Sequence, residues 1–582
     1  MGRIASALAH RRLPWGAAAL AALLLAPALS LGLFLDDLTH RWMMHGKARH
    51  VLQSDPRWAL FKFVTSPEEV RIGVQEGYWP WWTTPDFRLA FMRPLSSLTH
   101  ALDYRWLGVP PWVMHAENIA IYVCVVLVVG ALARRLVGGV GAGVATLVFA
   151  LDDAHAMPVG WIANRNALFA TLFGLVAVLS YAREHREGWR AGRLVGPFAF
   201  ALGLASGEVA TGALAYLAAY ALVLDDRPRA QRARALAPYG ALTLVWAALY
   251  KALGYGAAAG AFYIDPVGQP MAFARAVFVR LPVLIGAQLG PLPADVLANA
   301  PERVTLMLAF LGAVLVVVLL AAFWPLTHDP VARFGALGVV LALVPTCAVF
   351  PSDRSLLMSG LGASVLVARI VTWTLEERRR LDRRILAWGL VGVHLVMAPL
   401  LVPVRLYALH AFAAAPIRRA ASTFPVGAEG KTLVVLGAPD PLVLSFMQVL
   451  GAEAGREPPA RLRLLAIAVR GEHTCRRLDD RRLEVTLSEG FIQDPIGAMF
   501  RGPDAPMRVG DEVHVDGLDV KVLDVLDDGR ARTVVFTFAE PLESPSYAWM
   551  TWKGKGFSTV TPPPPGASIS IAPTPLAEAY GP

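Results

Sequence analysis

Apolar runs of roughly twenty residues begin near positions 15, 113, 165, 236, 304, 355 and 385, and shorter ones occupy 137–151, 194–206, 209–224 and 335–350. A helix crossing a bilayer needs about 20 mostly apolar residues, so the pattern predicts an α-helical multi-pass membrane region. The first run has no small-residue cleavage site before Asp36 and reads as a retained span rather than a signal peptide. Residues 194–224 lie between two arginine-rich stretches, which favours a hairpin of two short helices with Ser206, Gly207 and Glu208 at its tip. One long tilted helix is the other solution. With the hairpin, the chain crosses the membrane about eleven times.

After Pro403 the period changes. Residues 431–439 and 461–469 read as strands, with a short helix near 442–453 between them. Residues 511–540 alternate apolar and polar, and Asp516-Gly517 and Asp528-Gly529 mark hairpin turns. Four prolines at 562–565 suggest an extended tail. The expected organisation is a membrane domain over 1–403 with a long outer loop at 36–112, a β-rich extracytoplasmic domain over 404–560, and a Pro-rich disordered tail over 561–582.

Composition sharpens this picture. Of 582 residues, 55% are hydrophobic and 17% charged, against about 25% charged in soluble proteins. The net charge is +9, yet residues beyond 403 hold 19 basic and 21 acidic side chains, so the excess lies entirely in the apolar part. Nucleic acid is therefore not the expected partner; membrane orientation is the better explanation. With the N-terminus inside, the arginines at 134–135, 183–193, 227–234, 333 and 378–384 all fall on the cytoplasmic side. That orientation places the C-terminal domain outside the cytoplasm. Cys124, Cys347 and Cys475 form no disulfide framework or thiolate metal site.

The same topology gathers polar clusters on the outer face: Asp36 and Asp37, Asp152 and Asp153 with His155, Glu208, and Asp353 with Arg354. Ionisable groups at membrane depth are costly and usually face a cavity or partner, although any one of them could simply end a helix at the interface. The loop 36–112 carries Trp42, Trp58, Trp79, Trp81, Trp82, Trp106 and Trp112, a density expected of aromatic residues at a headgroup interface. Its histidines His40, His45, His50 and His100 lack a tight metal-ligand spacing, so a zinc site is not expected.

Residues 91–122, FMRPLSSLTHALDYRWLGVPPWVMHAENIAIY, carry Arg93-Pro94, Asp103-Tyr104, Gly108 with Pro111, and His115 with Asn118. This stretch resembles the segment entering the second span of GT-C glycosyltransferases, nearest the transmembrane tetratricopeptide-containing O-mannosyltransferases and their bacterial relatives. Residues 149–173 resemble that family's Phe-Ala-Leu-His-Pro-x-His-x-Glu run through Trp161, Ile162 and Arg165. Residues 204–210 resemble its Ser-Lys-Glu, and 352–362 its Glu-Arg-Tyr-Leu-Tyr. Here Asp152 and Asp153 replace the family's His-Pro, Gly207 its lysine, and Ser355 its tyrosine, and no tetratricopeptide tail follows.

The resemblance implies an integral membrane glycosyltransferase of the cell envelope, in a bacterial inner (cytoplasmic) membrane. It would move a sugar from a polyprenyl-phosphate donor to an acceptor protein or glycan on the outer face. Asp36 or Asp37 would be the general base, or the pair would help hold a divalent cation. Arg93, Arg165 and Arg354 would meet the donor phosphate, with His155 in place of the missing lysine. Asp103, His115, Asp152, Asp153, Glu208 and Asp353 are further site candidates. Two other readings stay open: a transporter or flippase of a lipid-linked saccharide, and a catalytically inactive lipid-binding relative.

Overall fold

A computed structural model describes the chain except residues 1, 47–53, 296–301, 377–380, 425–426, 454, 456, 458 and 582. It is about 60% helical, with a β-rich C-terminal part. Among the described residues six helices are long and apolar enough to cross a membrane: Leu13–Ser30, Pro111–Leu136, Ile162–Glu187, Pro270–Leu289, Glu302–Ala322 and Leu381–Ser422. A seventh is counted if Gly139–Ala150 and Asp153–Gly160, bent by 41°, form one broken span. The expected count of eleven is not reached on this measure. Gly192–Ser206, Glu208–Val223, Pro330–Thr346 and Gly360–Leu375 are apolar but only 10–17 residues long, short of the ~20 that a full crossing needs.

Residues 192–223 are two helices rather than one, broken at Gly207. Arg193 and Arg227, which flank the pair, both reach Glu184 at 3.0 and 2.7 Å. The intervening Gly207 instead packs against Asn166, at the other end of the helix Arg165–Glu187. The chain therefore reverses at Gly207. The boundary expected at residue 403 falls inside the continuous helical run Leu381–Ser422. Two π-helical stretches, Val393–Met397 and His410–Ala414, flank the part that contains Pro403. Such wide turns let a helix carry a proline without ending.

In the C-terminal part, Thr432–Val435 lies parallel to both Arg461–Leu464 and Tyr547–Lys553. A six-stranded antiparallel sheet runs Ser568–Ile571, His473–Arg477, Arg482–Leu487, Ala531–Phe538, Leu518–Val525 and Glu512–Val515. The hairpin turns at Gly517 and Gly529 have φ of 78° and 79°, where glycine avoids a Cβ clash. The 561–582 segment is not a disordered tail. Its residues Ser568–Ile571 pair with His473–Arg477, and Ala579 is buried.

The long loop 36–112 does not lie as an aromatic belt along the membrane either. Trp81, Trp82 and Phe87 belong to the C-terminal core, and Trp81 Nε1 donates to the Leu465 carbonyl at 3.0 Å. Of the seven tryptophans in this loop, Trp58, Trp106 and Trp112 are largely exposed. A small sheet joins the two halves: Lys62–Val64, Arg88–Ala90 and Gly256–Ala258. Its middle strand leads into Arg93 and its last into Tyr263. The C-terminal segment 498–502 clamps both, because Ala261 N donates to Ala498 O, Gly502 N to Ala259 O and Thr84 N to Phe500 O.

Candidate active site

Asp36 opens the helix Asp36–Met44, and the residue before it, Leu35, has φ 50°. A branched residue in this region is strained, and such strain persists only where surrounding structure enforces it. The two aspartates then diverge. Asp37 is fully buried and accepts backbone N–H bonds from Phe34 at 3.3 Å and Ala163 at 2.6 Å. Asp36 is half-buried and has no hydrogen-bond or ion-pair partner among the described residues. Burial raises its carboxyl pKa above the ordinary 3.8, against the pull of the Arg354 and Arg93 guanidiniums.

Arg93 donates through Nε to Glu208 at 2.8 Å and lies over the rings of Phe91 and Phe61 at 4.5 and 4.9 Å. Tyr250 donates to the other Glu208 oxygen at 3.3 Å. Arg354 sits over Trp161 and Phe350 at 5.5 and 5.6 Å and has no carboxylate partner among the described residues. Tyr263 packs on Phe91 at 5.3 Å, and its phenol lies in the field of Arg354, Arg93, Asp36 and Glu208. Burial raises the Tyr263 pKa, so the ring keeps its proton. Tyr250 and Tyr263 are further contributors that the motifs do not reveal; they lie in a stretch with no motif, and long-range pairing of Arg88–Ala90 with Gly256–Ala258 and of Tyr263 with Val349 brings them in.

The other expected phosphate ligands are placed differently. Arg165 is 2% exposed, and its guanidinium is committed: Nε to Asn118 at 2.9 Å, Nη1 to Asp103, and Nη2 to Glu117 at 2.9 Å and the Met114 carbonyl at 3.1 Å. Four of its five N–H donors are thus engaged inside the protein, so Arg165 and Asp103 form a structural cage. His115 lies beside it, bonded to the Gly32 carbonyl at 3.2 Å. His155 is sealed between Tyr122, whose hydroxyl meets Nδ1 at 2.8 Å, and the Phe149 ring at 4.7 Å. A histidine so enclosed does not replace the missing lysine.

Asp153 and Asp353 instead meet Arg405, together with Asp295. Asp152 is held by the Ala154 N–H and Gln288. Asp353 and Arg354 are thus neighbours in sequence that serve two different clusters. Neither Arg405 nor Asp295 was foreseen: each stands alone in sequence, 110 residues apart.

Among the described residues Asp36 and Asp37 do not converge with a third ligand residue as a divalent cation would need, and Asp37 is fully buried with an N–H bond on each oxygen. The group among the described residues that converges like a metal site is His185, Asp225 and Asp226, at the opposite end of the helix from Arg165. There Arg227 already neutralises Asp225 at 2.7 Å. His40 and His100 meet inside an aromatic cluster with Phe61, ring centroids 5.6 Å apart. Burial lowers the His40 pKa to about 3, so it is neutral. His50 lies outside the described residues.

No family model and no curated protein matches the chain. Its fold is similar to the crystal structure of an Archaeoglobus fulgidus oligosaccharyltransferase tethered with an acceptor peptide containing the NVT sequon, at TM-score 0.38 and 12% identity. The alignment covers 78% of this chain and 64% of that one.

Proposed function

We propose that this chain is a membrane glycosyltransferase that moves a sugar from a polyprenyl-phosphate donor to an acceptor hydroxyl, outside the cytoplasm of a bacterial cell. One observation carries the reading: an unpartnered, half-buried carboxylate, Asp36, stands in the field of Arg354 and Arg93. Arg354 is itself free of any carboxylate partner among the described residues. Asp36 takes the acceptor proton as its oxygen attacks the anomeric carbon. The bond from that carbon to the phosphate oxygen breaks, and the electron pair leaves on the polyprenyl phosphate. Arg354 and Arg93 meet the charge that develops there, in a site walled by Trp161, Phe350, Phe91 and Tyr263 where such charges act strongly. Glu208 and Tyr250 hold Arg93 in position.

The inactive-relative reading is favoured by Gly207, where a Cβ would come within 3.3 Å of Asn166 Oδ1, leaving little room for the family's lysine. One assay separates the two. Purified protein is given polyprenyl-phosphate-linked sugars with candidate acceptors, and wild type is compared with Asp36→Asn. Transfer lost in the variant supports the enzyme. Donor retained without turnover in both supports the inactive relative.

A further inference from the structure

On the flank of the membrane domain the helices leave an unfilled groove of about 410 Å³ that opens at Arg333, away from the candidate site, and is lined by Leu289, Leu319, Phe323, Leu337, Val340 and Ile370. The helix Pro330–Thr346 runs from this groove to the Cys347–Val349 segment that bridges Tyr263. At 1.5 Å per residue, Arg333 lies about 20 Å along that axis from the site end. Arg333 to Val340 covers about 10 Å, less than one leaflet of a ~30 Å hydrocarbon core. The groove therefore accommodates an acyl chain of the leaflet away from the site.

Charge decides which lipid. Arg333 is exposed and has no carboxylate partner among the described residues, because the nearby Asp329 is taken by Arg369 at 2.6 Å. Arg383 stacks on Trp373 at 5.3 Å, and Trp373 packs on the groove residue Phe323 at 6.2 Å. Two guanidiniums at the mouth of an apolar groove between spans complement an anionic headgroup above a buried tail. We propose that this groove is a binding site for an anionic phospholipid, its phosphate at Arg333 and one acyl chain along Leu319, Leu337 and Val340. The site is separate from the one assigned to sugar transfer and does not depend on that assignment.

The test uses the full-length protein in detergent micelles doped with equal amounts of phosphatidylglycerol and phosphatidylcholine. Retained lipid is quantified by native mass spectrometry and solvent extraction. Wild type is expected to retain phosphatidylglycerol about fivefold over phosphatidylcholine for each engaged arginine. Arg333→Gln removes most of that preference while still holding lipid. Ala336→Trp, at an exposed groove position, fills the space and lowers retention of both lipids. Equal retention by wild type, or an unchanged preference in Arg333→Gln, overturns the headgroup assignment. Unchanged retention in Ala336→Trp overturns the groove, and recovery of a polyprenyl phosphate as the retained species overturns the diacyl lipid. Arg333→Gln alters only an exposed side chain, so its result stands even if Ala336→Trp folds poorly.

Discussion

Arg165 and Arg354 both follow an apolar segment, and both resemble phosphate ligands in sequence, yet the structure uses them in opposite ways. Arg165 is enclosed by Asp103, Glu117, Asn118 and a main-chain carbonyl. Among the described residues Arg354 meets aromatic faces and the field of Asp36, with no carboxylate bound to it. Asp37 and Asp36 repeat the contrast one residue apart. In each pair one member spends its hydrogen-bonding capacity on the scaffold and the other keeps it for a ligand. An ionic group whose capacity is spent rigidifies a site; one whose capacity is spare can act in it.

The largest effect should come from breaking the Arg165 cage. Arg165→Met leaves Asp103, which is 2% exposed, buried without its counter-charge, and losing one partner of a buried pair costs about 3–5 kcal/mol. Thermal unfolding in detergent should show a large drop in Tm or loss of folded protein. Arg354→Ala should stay within about 0.5 kcal/mol of wild type. Equal losses in the two variants would break the contrast between scaffold and site.

Activity should report the reverse. Arg354→Ala and Asp36→Asn are each expected to lower transfer about 10²–10³-fold without loss of stability beyond about 0.5 kcal/mol, the range seen when one charge-stabilising group is removed. Arg354→Lys should recover only part, since an ammonium lacks the planar fork that meets a phosphate with two bonds. A smaller effect follows for the second pair. Asp37→Ala orphans the N–H groups of Ala163 and Phe34 and should cost about 1–3 kcal/mol, whereas Asp36→Ala orphans nothing. Chemical denaturation of the two variants side by side would show whether adjacent carboxylates divide the labour this way.

Local features of the fold were legible and long-range ones were not. The arginine-flanked segment 192–227 reads as a hairpin because both the break at Gly207 and the charged ends are local signals. The Asp-Gly turns of 511–540 carry the same kind of information. The fate of the tryptophan loop is different: Trp81 bonds to Leu465 across 384 residues, and alternation within the loop carries no trace of that partner. The same holds for the site. Asp36, Arg93, Glu208 and Arg354 are recognisable as polar residues at the ends of apolar runs. That Arg165 is caged depends on Asp103, 62 residues away, and that Tyr263 enters depends on a three-residue strand. Residues 568–571 read as tail because prolines precede them, but the backbone of His473–Arg477 takes them as the outer strand of its sheet.

The finest test of the contrast is a pH profile. Burial raises the Asp36 pKa above 3.8, while Arg354 and Arg93 hold it down. A general base works only when ionised, so transfer should fall as pH drops through this raised value, placing the acid limb above the ordinary aspartate range. Removing one opposing charge lifts a carboxyl by about one unit or more. The residual activity of Arg354→Gln should therefore lose its acid limb at higher pH than wild type, and Arg354→Lys should not. Stability has the opposite sign. A carboxyl whose pKa is raised on folding favours the native state below 3.8, and that contribution is lost as pH rises through the folded value. Asp36→Asn should flatten this decline and be slightly more stable than wild type at neutral pH, a trade of stability for function. An acid limb that stays put in Arg354→Gln would mean that Asp36 and Arg354 do not share a site.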